Sequence, residues 1–185
     1  MAEVAGRAVG LVFLLWVTLR VLAQGLTLGS SAVVAFLHGV NLVFHEAGHV
    51  IFGFLGEFIA VAGGSLNQVL IPAICAVALL RTRQPASAAV AVFWTGQSLA
   101  DVAVYAADGR AMTLPLLAEG LIHDWNYLLG RTGLLPRAEA IGRVLFGAGA
   151  LLMLGALAFL ALDLVRAWGQ ARAPRVDTDG SPRVE

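Results

Sequence analysis

Two histidines and a glutamate stand at the spacing of a common zinc motif. Residues 45 to 49 read His-Glu-Ala-Gly-His, which is HExxH. On a helix, residues four apart lie on one face, so both imidazoles can bind one metal ion while the glutamate serves as general base for a water. The motif predicts a Zn²⁺-dependent hydrolase with His45 and His49 as ligands and Glu46 as the catalytic base.

The elements that carry this motif are membrane helices. Hydrophobic residues make up 59% of the chain and charged residues 13%, against about 45–50% and about 25% in ordinary soluble proteins. Residues 21–44, 58–80 and 144–162 contain no Asp, Glu, Lys or Arg, and each stretch is close to the ~20 residues that cross a bilayer as a helix. We therefore expect an integral membrane protein. The charges form no basic patch, and nucleic acid is not an expected partner.

The predicted fold is all-α, a polytopic bundle of about five transmembrane helices within a single domain, residues 1–168. The expected spans are 8–24, 31–56, 66–82, 86–107 and 140–165, with Gly63-Gly64-Ser65 read as a turn. Between spans four and five, the mixed polar and apolar residues 108–139 predict a re-entrant or interfacial segment. Residues 169–185 are rich in Pro, Gly and Asp and predict a disordered tail.

The arrangement of arginines predicts the orientation. An odd number of spans places the two chain ends on opposite sides, and the slight excess of arginines on the C-terminal side favours N-out and C-in. We expect the bacterial inner membrane as the location, with the lipid bilayer as the surroundings of the site.

The motif and its context resemble the site-2-protease-like family of intramembrane zinc metalloproteases. The resemblance rests on His-Glu-x-Gly-His in a membrane helix, followed by Gly56-Glu57-Phe58 and the Gly63-Gly64 pair. It implies that the chain is a small bacterial member made of little but the membrane core, acting on membrane proteins or peptides. It also implies that an aspartate from a later membrane helix is the third zinc ligand.

The sequence leaves open which residue is the third zinc ligand. The family's aspartate lies in an Asp-Gly motif with preceding Asn and Pro, and Asp108-Gly109 matches only the dipeptide. Counted along the predicted spans, Asp101 lies about 24 Å below one membrane face. His45 and His49 lie about 21–27 Å below the same face. Asp101 is therefore the favoured ligand, with Asp108, His123 and Asp124 as alternatives for that role or another role in the active site.

Other polar residues of the spans have weaker assignments. Asn67 and Gln68 are candidates for binding an unwound substrate strand, and His38 is read as a packing residue on the polar side of the second span. Two rival functions use the same residue types: a membrane zinc hydrolase of lipids or amides, and a zinc transporter. A transporter needs a series of ligands along a path, for which four histidines are few.

Overall fold

A computed structural model describes residues 1–27, 29, 31–116 and 121–172, and it confirms the predicted all-α class. Within these ranges the chain forms helices and connecting turns, with no strand. The helices are α1 (Ala2–Gln24), α2 (Ala32–Phe52), α3 (Glu57–Arg81), α4 (Pro85–Asp108), α5 (Asp124–Arg131) and α6 (Ala138–Arg172). Single 3₁₀ turns, Gly53–Leu55 and Leu135–Arg137, precede α3 and α6.

Four of these helices, α1, α3, α4 and α6, are long and apolar enough to cross a membrane. Helix α2 has 21 residues, enough for a crossing by length. Its mean hydropathy is lowered by polar residues, which are His38, Asn41, His45, Glu46 and His49. The prediction of a membrane protein is thus supported, whereas the fifth span stays a prediction.

The boundary between α2 and α3 differs from the predicted one. Helix α3 begins at Glu57 instead of residue 66, so Gly63, Gly64 and Ser65 lie inside it and are buried. The turn is made earlier, by Gly53–Leu55 and by Gly56, whose φ of 94° favours glycine. The glycine pair serves close packing: a Cβ on Gly48 of α2 would lie 2.1 Å from the Gly63 carbonyl oxygen.

Helix α4 lies at the centre of the bundle and packs along α6. The two helices touch backbone to backbone at Gly96 and Gly149, where an added Cβ on either glycine would lie within 2.6 Å of the other's carbonyl oxygen. Near the other end of this contact, Gly142 packs against Ala107. The pairs 96 with 149 and 107 with 142 show that α4 and α6 run antiparallel.

Helix α1 also runs antiparallel to α6. The Arg7 guanidinium pairs with the Asp163 carboxylate near the end of α6, and residues 1–8 line an apolar groove with residues 164–168. Further along, Val17 and Met153 share one buried apolar cluster. The start of α1 and the end of α6 therefore lie at the same end of the bundle. An even number of crossings, such as the four helices above, would place both ends on one side of a membrane, and the predicted N-out and C-in orientation stays a prediction.

The segment between α4 and α6 contains a short amphipathic helix, α5, in place of a fully irregular loop. Whether it is re-entrant is not tested by the packing, and residues 117–120 of the predicted segment lie outside the described residues. At the C-terminus α6 continues to Arg172, four residues into the predicted tail, and residues 173–185 lie outside the described part.

Candidate metal centre

Three side chains from two distant parts of the chain converge on one point. The Nε2 atom of His45 lies 2.8 Å from Asp124 Oδ2, and the Nε2 atom of His49 lies 3.3 Å from the same oxygen. One potential ligand atom from each residue lies within 4.8 Å of the others. Bonds of ~2.0–2.2 Å to one tetrahedral ion would place its ligand atoms about 3.4 Å apart. The three groups could hold a metal ion.

The opposite nitrogens of both imidazoles face oxygen acceptors. His45 Nδ1 lies 3.2 Å from Gln68 Oε1, and His49 Nδ1 lies 2.9 Å from the carbonyl oxygen of Ala60. Because a carbonyl oxygen only accepts, each ring carries a proton on Nδ1. Nε2 is then the nitrogen that a metal ion would bind in place of a proton between the ring and the Asp124 carboxylate.

Gly64 leaves room beside the two ligating nitrogens. A Cβ at this position would lie 2.6 Å from His45 Nε2 and 2.7 Å from His49 Nε2. These contacts are shorter than atoms of this type tolerate, so a side chain here would occupy the space next to the ligands. The absence of a side chain at Gly64 fits the requirement of a metal site for open volume.

Asp124 is positioned by the first turn of α5. Its backbone N–H donates to the Tyr105 hydroxyl at 3.2 Å, and the neighbouring Trp125 donates its indole N–H to Ser65 of α3 at 3.1 Å. Burial by itself raises the pKa of the Asp124 carboxyl, but the contacts with the His45 and His49 rings lower this pKa more. The carboxylate is therefore ionised, as a metal ligand must be.

Asp108 and His123 form the support of α5 instead of joining the three converging residues. Asp108 accepts hydrogen bonds from the backbone of Thr113 and Leu114 and from the Thr113 hydroxyl. His123 caps α5 by accepting from the Asn126 N–H through Nδ1, and its Nε2 donates to Asp108 at 3.2 Å. Of the alternatives weighed for the third ligand, only Asp124 faces both imidazoles.

Asp101 is the ligand favoured from the sequence, and one intervening side chain, that of Gln68, separates it from the converging groups. Its Oδ2 accepts from Gln68 Nε2 at 2.7 Å, and its Oδ1 lies 2.9 Å from His38 Nδ1. The structure brings the carboxylate of Asp124, and not that of Asp101, next to the Nε2 atoms of His45 and His49. The depth estimate placed Asp101 close to the site, yet the carboxylate points to Gln68, which stands between it and His45.

The predicted substrate-binding amides are used inside the protein. Asn67 donates to the carbonyl oxygen of Phe44 at 2.7 Å and is buried, and Gln68 is buried between His45 and Asp101. Both side chains hold α3 against its neighbours, and neither is free to bind a strand.

Glu46 is exposed on the outer face of the same helical turn. Its predicted role as general base for a bound water stays a prediction.

Three contributors to the site escaped the sequence interpretation, namely Gly64, Tyr105 and the carbonyl group of Ala60. The Gly63-Gly64 pair gave a signal that was read as a turn, and Tyr105 shares a helical face with Asp101 in the sequence. A backbone carbonyl acceptor leaves no trace in residue types.

Comparisons with family models, curated proteins and solved structures return no match to this chain.

Proposed function

We propose that the protein is an intramembrane zinc metalloprotease, in which His45, His49 and Asp124 bind Zn²⁺. The observation that carries the proposal is the pair of imidazoles whose Nδ1 atoms face acceptors while both Nε2 atoms meet one carboxylate oxygen. Two His nitrogens and one carboxylate are a ligand set of catalytic zinc sites, which keep a further position for water or substrate. When bound, Zn²⁺ supplies Lewis acidity and lowers the pKa of water to about 7.

Glu46 is the general base in this proposal. It follows His45 directly in the chain, and it is exposed where the ligating residues are more buried. It removes a proton from the attacking water and returns that proton to the nitrogen of the leaving amine. Tyr105 lies beside the site, because its hydroxyl accepts from the backbone N–H of Asp124 and its ring centroid is 6.1 Å from that of His45.

The substrates are peptide bonds of membrane-embedded proteins. We propose that α2 enters the bilayer beside α3, because its residues 44 to 52 pack against a helix of membrane length. A substrate helix has its backbone hydrogen bonds satisfied internally and must unwind before a carbonyl group can be attacked.

Geometry favours hydrolysis over zinc transport. Among the described residues, His45, His49 and Asp124 form the one group of three potential ligands, whereas transport requires successive sites along a path. Hydrolysis of lipids or amides uses the same ligands and base, so product analysis has to distinguish it from proteolysis.

The decisive experiment replaces Glu46 by Gln in protein reconstituted into lipid nanodiscs. We expect one bound Zn²⁺ per chain in both proteins, and cleavage of membrane-spanning test peptides reduced by about 10²–10⁴-fold in the variant, the usual contribution of a general base. Glu139→Gln, at the exposed start of α6, is the matched control and should keep full cleavage. Undiminished cleavage by Glu46→Gln, or wild-type protein without zinc, would refute the proposal. Zinc uptake into vesicles, or lipid products alone, would replace it by a rival function.

A further inference from the structure

A chain of polar side chains leads from the converging ligands through Gln68 and Asp101 to His38. His45 Nδ1 meets Gln68 Oε1, Gln68 Nε2 meets Asp101 Oδ2 at 2.7 Å, and Asp101 Oδ1 meets His38 Nδ1 at 2.9 Å. Gln68 is 4% exposed, so water cannot easily replace its partners His45 and Asp101. The chain joins three helices, α2, α3 and α4.

Each hydrogen bond in this chain has a fixed direction, and the direction is set at Asp101. The Gln68 NH₂ group only donates, and it faces Asp101 Oδ2, which accepts. The amide oxygen of Gln68 then faces His45 and only accepts. His45 must therefore carry a proton on Nδ1, and Nε2, which faces Asp124, is the nitrogen left for a metal ion to bind in place of a proton.

The other contacts of Asp101 keep it in place. Its Oδ1 is within hydrogen-bond distance of His38 Nδ1, and Asn41 Nδ2 lies 3.4 Å from its Oδ2. Asn41 is itself oriented, because its oxygen accepts from the Trp94 indole and the Ser98 hydroxyl and its amide therefore points the other way. The Asp101 carboxyl group is held from several sides, with Oδ2 directed at Gln68.

We propose that Asp101 is a positioning residue that selects the metal-binding tautomer of His45 through Gln68. Asp101 touches neither the metal position nor a substrate in this arrangement, and it acts only by orienting the amide. The inference rests on the proposed zinc site, and it assigns a function to the half-buried Asp101 carboxyl group that the ligand set leaves unused.

The test compares the single variant Asp101→Asn with a double variant that also carries Gln68→Glu. Asp101→Asn keeps the size of the side chain but adds a donor, so the Gln68 amide can flip and present NH₂ to His45. The double variant Asp101→Asn with Gln68→Glu restores an obligatory acceptor next to His45 Nδ1, with the donor now on residue 101. Asp163→Asn makes the same chemical change on α6, where the carboxylate pairs with Arg7, and is the matched control.

Two readouts follow the tautomer and the metal. Competition titration with a zinc chelator should show affinity lowered by about 10–100-fold in Asp101→Asn, the range for partners of ligating histidines. The double variant should recover most of this loss. In ¹⁵N NMR spectra of zinc-loaded, histidine-labelled protein, the wild type and the double variant should show His45 bound through Nε2, with a smaller bound fraction in Asp101→Asn.

The inference fails if Asp101→Asn binds zinc as tightly as the wild type, or if the double variant is as weak as the single one. The second result would indicate a general packing defect at this position, which circular dichroism and thermal unfolding of the three variants measure in parallel. Failure of the proposed zinc site itself is recognised separately, because the wild type and Asp163→Asn would then bind no zinc either, which overturns both proposals.

Discussion

Gly64 affects the ligands through the space that it leaves. Alanine is the better helix former by about 1 kcal/mol, so Gly64→Ala should help an isolated helix. In this fold its methyl group would lie 2.6 Å from His45 Nε2. We therefore predict that Gly64→Ala lowers zinc affinity on the order of 10- to 100-fold, as expected when ligand orientation is disturbed. Competition with a fluorescent chelator measures the change.

Gly155 offers the comparison for this substitution. It lies inside α6 with nothing within 4 Å of an added Cβ, so Gly155→Ala should leave zinc affinity unchanged. Equal affinities of the two alanine variants would show that the space beside His45 and His49 is not where the ion lies.

At the residue scale, the sequence predicts local geometry well and distant partners poorly. The relation between His45 and His49 follows from the helical repeat and holds in the fold. Asp101 was placed near them by its height along α4, and it does lie close. The height of a residue along a helix axis does not specify the neighbour toward which its side chain points. Here the Gln68 side chain lies between Asp101 and His45. Asp124 lies 79 positions from His45, beyond the reach of any periodicity.

The third potential ligand comes from a helix of eight residues that is too short to cross a membrane. Helix α5 is attached to the bundle by the Trp125 indole on Ser65 and by the Asn126 amide on the Gly109 carbonyl oxygen. Metal binding that uses Asp124 must stabilise this attachment, because a ligand that binds only the docked state favours that state.

We predict that zinc slows amide hydrogen exchange in residues 125–131. At a zinc concentration 100 times the dissociation constant, the added stability is ~2.7 kcal/mol, or about 100-fold slower exchange through undocking. Mass spectrometry of the intact protein with and without zinc makes the measurement. Residues 142–157 of α6, which pack on α4 away from the ligands, should exchange at the same rate in both samples. Uniform slowing of both segments, or none in α5, would contradict a ligand role for Asp124.

In a membrane sequence, glycine can mark either a turn or a close contact between helices, and composition alone does not distinguish the two. Gly63-Gly64 was read as a turn, since paired glycines favour turns, and it is instead the place where α2 and α3 approach most closely. The prediction of a turn at Gly63-Gly64 was wrong because the chain turns earlier, at Gly53 to Gly56. Gly56 lies only seven residues before Gly63. Element existence was predictable for all five long helices, whereas their ends depended on packing.

At the scale of the whole molecule, both ends of the described chain lie together. Helix α1 begins beside residues 163–168, and α4 and α6 run antiparallel. We predict that single cysteines introduced at Ala2 and Gly169, in a Cys75→Ser background, react with an impermeant maleimide from the same side of sealed vesicles. A cysteine at Phe54, in the exposed turn before α3, should react from the other side.

The pattern of labelling distinguishes the two arrangements. Labelling of positions 2 and 169 from opposite sides would restore the five-span alternation with N-out and C-in. Labelling from one side would support an even number of crossings and make α2 a helix that belongs to the bundle without adding a separate passage.

The short helix α5 also sets an order of events during synthesis. The two histidines leave the ribosome long before Asp124 does, and α3 and α4, which receive α5, are complete at that point. A nascent chain therefore has two of the three converging groups until the segment after α4 folds back. Under the proposed function, the protein would become active only after α5 has docked and brought Asp124 to the two histidines.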